Sequence, residues 1–109
     1  MTDKIVVFTT CASEEEAAKI ARHLVEHRLA ACVSIVPQVR SVYRWKGAIE
    51  DSTEWLLIAK SRRGLMARVS TEISNLHSYQ VPEVVALPLV DGAPAYLSWL
   101  DHELSQGDE

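Results

Sequence analysis

Glycine is scarce in this chain, with four residues among 109, and the sequence contains no Gly-rich loop that could hold a phosphate group. The Walker A pattern, the G-x-S-x-G nucleophile elbow and the H-E-x-x-H zinc-protease motif are also missing. We therefore expect neither a nucleotide triphosphate site nor a hydrolase centre of these types, and we predict that the protein is not an enzyme.

Positive charge and long apolar runs are also in short supply. Eleven Lys and Arg residues stand against fifteen Asp and Glu residues, which gives a net charge of -4. Nucleic-acid binding depends on Lys and Arg placed against phosphates, so we expect no nucleic-acid partner. No apolar run approaches the ~20 residues that span a bilayer, and the start of the chain shows no secretory signal. The sequence predicts a cytoplasmic protein with no membrane partner.

The two cysteines, Cys11 and Cys32, form no C-x-x-C pair, and we expect free thiols in a reducing compartment. Thiolate and imidazole ligands together suit copper or zinc. His23 and His27 have a helical i, i+4 spacing, but a solvated helix end explains them better. Cys32 fits a buried apolar role as well as a metal role. The environment of Cys11 is left open, because the following helix N-terminus would favour its thiolate while three nearby glutamates oppose it.

The first part of the chain reads as a buried strand over residues 4–10, followed by a helix over residues 14–28. Ser13 and Glu16 have the spacing of a capping box, with the serine as N-cap. Apolar residues recur at helical spacing behind them.

Two long strands follow, over residues 32–45 and 48–60, and Lys46-Gly47 supplies the turn between them. Pro37 predicts a bulge or an edge position, because proline cannot donate a ladder hydrogen bond. A hairpin of this length is too long for a 109-residue domain to cover. We expect Tyr43 and Trp45 to protrude at its far end and to mark an interface; a hairpin that folds back onto its own sheet is the alternative.

The second part of the chain predicts a helix over residues 63–76, a strand over residues 84–90 and a C-terminal helix that starts at Pro94. The order β-α-β-β-α-β plus a helix is that of the ferredoxin-like fold. We therefore predict a single α+β domain over residues 1–109. Its four-stranded antiparallel sheet would carry helices on one face, and another subunit would cover the other face.

The segment from His77 to Glu83 is the most function-like part of the sequence. It places an imidazole, the Tyr79 phenol and a carboxylate around a loop stiffened by Pro82. A purely structural role is an equal alternative, with Tyr79 packed on the sheet and Glu83 in a surface ion pair.

Four motifs in order resemble the CutA family of divalent-ion tolerance proteins, and the resemblance covers residues 4–102. Ser34, Ser78 and Gln80 depart from the family pattern, which commonly has Asn, Pro and Glu there. The motifs are Leu29-Ala30-Ala31-Cys32-Val33, Val39-Arg40-Ser41-Val42-Tyr43-Arg44-Trp45-Lys46-Gly47, His77-Ser78-Tyr79-Gln80-Val81-Pro82-Glu83 and Tyr96-Leu97-Ser98-Trp99.

This resemblance implies a homotrimer assembled through long hairpins and linked to tolerance of divalent metals, copper in particular. Metal ligands would then come from Cys32, His77 and Glu83, possibly across a subunit boundary. The alternative is a PII-like signalling or scaffold trimer that binds a small effector or a protein in an intersubunit cleft. Tyr43, Trp45 and Tyr79 would line that cleft. An acylphosphatase-like hydrolase on the same fold is a weaker third hypothesis, because fold alone does not confer function.

Overall fold

The computed structural model describes residues 2–106, and its secondary structure follows the order expected from the sequence. A single 3-10 turn, Arg63–Leu65, separates the third strand from the second helix. In chain order the other elements are β1 (Lys4–Cys11), α1 (Glu14–Glu26), β2 (Cys32–Trp45), β3 (Ala48–Arg62), α2 (Met66–Leu76), β4 (Val85–Pro88) and α3 (Pro94–Glu103).

The four strands form one sheet in the order β2-β3-β1-β4, and every neighbouring pair is antiparallel. This topology confirms the predicted α+β, ferredoxin-like fold. Several predicted boundaries differ from those of the structure. Helix α1 ends before the predicted residue 28, because Arg28 takes a positive φ of 55°. Strand β4 is shorter than predicted because it pairs with β1 only over Ile5 to Phe8, and β3 extends to Arg62 opposite Lys4.

Helices α1 and α2 pack on one face of the sheet and enclose the hydrophobic core. Their apolar stripes are buried as helical periodicity predicts. The side chains with zero exposure on these helices are Ala17, Ile20, Leu24, Val69 and Ile73.

The opposite face of the sheet is partly covered by the chain's own helix α3. Lys4 and Arg62 both donate to the carboxylate of Asp101, each at 3.2 Å, and Lys60 donates to the hydroxyl of Tyr96. The cover that we expected from another subunit is therefore supplied in part within the chain.

The β2–β3 hairpin extends beyond the helices and gives the molecule its elongated dimensions of 44 × 25 × 22 Å. The register shifts between Val36 and Val39, which confirms the bulge predicted from Pro37. Lys46 and Gly47 have φ values of 49° and 84°, as a tight hairpin turn with a right-handed strand twist requires. No helix among residues 2–106 is long and apolar enough to cross a membrane.

Candidate functional site

Three metal-ligating side chains meet where β1 ends, between the start of α1 and the end of α2. The ligand atoms of Cys11, Glu16 and His77 all lie within 4.8 Å of one another. We call these three residues the Cys–Glu–His cluster. The cysteine is buried, and the imidazole has no exposed side-chain surface.

The local structure of helix α1 directs Glu16 into this cluster. The Ser13 hydroxyl accepts a hydrogen bond from the Glu16 backbone N–H at 3.1 Å, which confirms Ser13 as the N-cap. The reciprocal half of the predicted capping box is absent from the described residues, because the Glu16 carboxylate turns toward His77 instead.

Hydrogen bonds to the backbone engage both nitrogens of the His77 ring. Its Nε2–H donates to the Thr10 carbonyl oxygen at 2.7 Å, and its Nδ1 accepts the Tyr79 backbone N–H at 3.1 Å. A carbonyl only accepts and an amide N–H only donates, so in this pattern Nε2 carries a hydrogen and the single lone pair of Nδ1 is already bonded to the Tyr79 amide.

The His77 Nδ1 atom and the Glu16 carboxylate lie in contact with no hydrogen bond between them. Glu16 Oε2 is 3.3 Å from His77 Nδ1, and this oxygen is buried with no hydrogen-bond partner. Two acceptors in contact repel, and buried polar groups usually find partners. A cation bound here would give Glu16 Oε2 a partner and would replace the Tyr79 amide at Nδ1, and the Cys11 sulfur lies within 4.8 Å of both atoms.

Burial raises the pKa of the Cys11 thiol to about 12, and the negative charges of Glu16 and Glu54 add to this effect. The open question about Cys11 is thus answered for the metal-free protein: desolvation and the carboxylates keep the thiol protonated. A metal ion that binds here has to displace this proton.

The side chains of Tyr79 and Glu54 form a second polar pair. The Tyr79 hydroxyl donates to Glu54 Oε2 at 2.5 Å, and Glu54 is buried, with 4% of its surface exposed. Burial, followed by the bond to Glu54, raises the pKa of the Tyr79 phenol. Tyr79 therefore links the two groups. Its backbone N–H bonds to His77 of the Cys–Glu–His cluster, and its side-chain hydroxyl bonds to Glu54.

A cleft of about 700 Å³ opens beside this pair, between the hairpin and the loop after α2. We call it the aromatic cleft. It contains all three residues that the sequence placed in a ligand cleft, Tyr43, Trp45 and Tyr79. Its full lining is Thr10, Ser41, Val42, Tyr43, Trp45, Glu54, Ser78, Tyr79, Gln80, Val81 and Glu83.

The structure separates the three residues predicted from the sequence as metal ligands. His77 belongs to the cluster, Glu83 lines the aromatic cleft, and Cys32 lies at the start of β2. Cys32 pairs with Lys60, whereas Cys11 pairs with Trp55, five residues away along β3. At about 3.4 Å per residue this separation is roughly 17 Å. Within one chain, Cys32 and His77 therefore do not share a site.

Sequence reasoning missed Glu16 and Glu54 as site residues. The sequence assigns Glu16 to helix capping and to the negative charge near Cys11, and Glu54 is one of several charged residues on the hairpin. One signal was available for Glu54: it immediately precedes the apolar run Trp55-Leu56-Leu57-Ile58-Ala59, where a carboxylate has an increased chance of burial.

A comparison with known proteins connects this geometry to a family. The family model described as CutA1 divalent ion tolerance protein matches residues 5–103. The chain belongs to the CutA1 family. This result confirms the resemblance that the four sequence motifs indicated.

Individual relatives agree with this assignment. The divalent-cation tolerance protein CutA of Thermus thermophilus is 47% identical over 95 residues, which are 87% of this chain and 92% of that protein. Protein CutA of Mus musculus is 43% identical over 99 residues, 91% of this chain. This chain spans only 55% of the mouse protein's length.

A solved structure shares the whole architecture. The protein from Archaeoglobus fulgidus described as the periplasmic divalent cation tolerance protein CutA superposes with a TM-score of 0.90 at 38% identity. The match covers 94% of this chain and 99% of that one. The ferredoxin-like arrangement and the long hairpin are thus features of the family.

Proposed function

We propose that the protein binds divalent cations at the Cys–Glu–His cluster, copper most tightly, and acts in cation tolerance as a homotrimer. The observation that carries the proposal is the buried Glu16 Oε2, which has no hydrogen-bond partner and lies 3.3 Å from His77 Nδ1. Membership of a family named for divalent ion tolerance supports the same function.

The donor set fits a borderline metal ion. A thiolate, an imidazole and a carboxylate are all ligands of Zn²⁺ and Cu²⁺, with bonds of about 2.0 to 2.3 Å. At tetrahedral angles these bond lengths place two ligand atoms about 3.5 Å apart, so the side chains must rotate to bring the three atoms closer than their present limit of 4.8 Å. Copper is favoured over zinc by the general order of divalent affinities. Cys32 and Glu83 stay predicted ligands only for a site built between subunits.

The trimer is supported by the exposed apolar residues of the hairpin. Val42 and Ile49 expose 65% and 69% of their surfaces, and Tyr43 and Trp45 beside them are also exposed. Exposed apolar clusters of this kind mark contact surfaces between proteins. Three copies that pack their hairpins against one another would bury Val42 and Ile49, while the faces of Tyr43 and Trp45 that line the aromatic cleft stay accessible.

Metal titration of single-residue variants tests the site. We expect Co²⁺ to produce a thiolate-to-metal charge-transfer band in the wild type, and Cu²⁺ and Zn²⁺ to displace the cobalt. Cys11→Ser should abolish the band, and Glu16→Gln should weaken binding at least tenfold. Cys32→Ser, which changes the other free thiol, is the matched control and should behave as the wild type.

His77→Gln adds a test of the imidazole, with the exposed His102→Gln as its control. Melting curves of the metal-free variants separate loss of binding from loss of folding. Wild-type binding in both Cys11→Ser and Glu16→Gln would exclude the cluster as the site. Loss of the band in Cys32→Ser alone would move the site to the residue that the sequence predicted.

The cytoplasmic location and the absence of catalysis stay predictions from the sequence. The Archaeoglobus relative is described as periplasmic, so location varies or is differently assigned within the family. The PII-like signalling trimer also stays a prediction, because the aromatic cleft that holds Tyr43, Trp45 and Tyr79 lies within one chain and does not test an intersubunit cleft.

A further inference from the structure

The aromatic cleft has the size and composition of a small-molecule site. Its volume of about 700 Å³ lies within the range of roughly 300 to 1,000 Å³ that ligand pockets occupy. Tyr43, Trp45 and Tyr79 supply aromatic walls, and Ser41 and Thr10 supply small polar groups.

Glu54 is a buried carboxyl group in the wall of this cleft, with most of its bonding capacity unused. A carboxylate accepts about four hydrogen bonds. Among residues 2–106, the Tyr79 hydroxyl is the one hydrogen-bond donor to the Glu54 side chain, and no cationic side chain forms an ion pair with it. Burial of a carboxylate without a cation is costly, so this group favours a positively charged partner.

The rest of the cleft lining also favours a positively charged ligand. Its lining includes a second carboxylate, Glu83, and contains no Lys, Arg or His. The Trp45 ring already interacts with a cation on its surface, because Lys46 Nζ is 5.6 Å from the ring centroid. Aromatic faces attract cations through their quadrupole, most strongly where water is excluded.

We propose that the aromatic cleft binds a small organic cation, whose ammonium or guanidinium group bonds to Glu54 while its apolar body packs against Tyr43, Trp45 and Tyr79. The ligand contacts no member of the Cys–Glu–His cluster, although Tyr79 joins the two neighbouring sites. A single Lys or Arg side chain from a second copy is the competing source of positive charge, but it would fill only a fraction of 700 Å³.

Three matched probes test the charge requirement by calorimetry at pH 7 with EDTA present. 2-Phenylethylammonium is the cation, 2-phenylethanol is its neutral counterpart, and 3-phenylpropanoate is an anion of similar size. We expect the ammonium to bind at least tenfold more tightly than the alcohol, and the carboxylate not to bind.

Variants then locate the site. Glu54→Gln keeps an acceptor for the Tyr79 hydroxyl and should reduce ammonium affinity at least tenfold. Glu50→Gln removes the same charge from an exposed position on the same strand and should change nothing. Cys11→Ser should bind the ammonium as the wild type does, which separates this site from the metal site even if the cluster binds no metal.

Three results would overturn the proposal. They are equal affinity for the ammonium and the alcohol, unchanged ammonium binding in a folded Glu54→Gln variant, and no binding of any probe to the wild type. In the last case, weaker self-association of Glu54→Gln in sedimentation would identify a side chain of a second copy as the partner of Glu54.

Discussion

Apolar side chains are buried in the body of the molecule, whereas similar side chains are exposed at the far end of its hairpin. In the body, Leu24 and Ile73 have no exposed surface, because two helices and the sheet surround them. At the far end of the hairpin, Val42 and Ile49 are about two-thirds exposed, because only two strands are present there. The body thus buries its apolar residues within the chain, whereas the apolar residues of the hairpin are available for a contact between chains.

The largest effect that tests this difference is expected in the body. Leu24→Ala removes a fully buried side chain and should lower the free energy of unfolding by about 3 kcal/mol. Val25→Ala, at the next position of the same helix and 42% exposed, is the matched control and should cost much less. Chemical denaturation measures both. Similar losses in the two variants would contradict the assignment of Leu24 to a tightly packed core.

A smaller effect is expected at the hairpin, and it should depend on protein concentration. Ile49→Asp places a charge on the exposed apolar surface and should remove on the order of 2 kcal/mol of association free energy per subunit. Sedimentation should show dissociation at low micromolar concentration. Thr71→Asp, on the exposed surface of α2, should leave the assembly intact. If sedimentation showed the wild type to be a stable, folded monomer, the hairpin would have no role in association and the contrast with the body would be lost.

The smallest expected effect is on the free energy of unfolding at alkaline pH. The folded pKa of Cys11 is about 12, above its ordinary value of 9.0, so the folded state holds this proton more tightly than the unfolded state. Its contribution to stability is complete below pH 9 and is lost as the pH rises from 9 toward 12, by at most about 1.4 kcal/mol per pH unit. The raised pKa of Tyr79 acts in the same direction above pH 10.

Cys11→Ser should therefore flatten the loss of stability between pH 9 and 10, measured as the free energy of unfolding of the metal-free protein. Cys32→Ser is the matched control, because Cys32 is only partly buried, and it should keep the wild-type slope. An equal slope in Cys11→Ser and the wild type would show that the buried thiol does not control alkaline stability.

The secondary structure, the capping of α1 by Ser13, the Pro37 bulge and the Lys46-Gly47 turn follow from the sequence. Each depends on residues close together in the chain, where periodicity and backbone preference act directly. The order of the elements and the four motifs were enough to indicate the fold and the family.

The meeting of Cys11, Glu16 and His77, and that of Glu54 with Tyr79, depend on tertiary structure. The spacing of Ser13 and Glu16 predicts a complete capping box, but packing of α2 against α1 brings His77 to the carboxylate. Strand register places Cys32 far from His77 although both are potential metal ligands. Packing decides which distant groups come into contact, and burial decides which of them lose their hydration. Local sequence patterns predict neither of these.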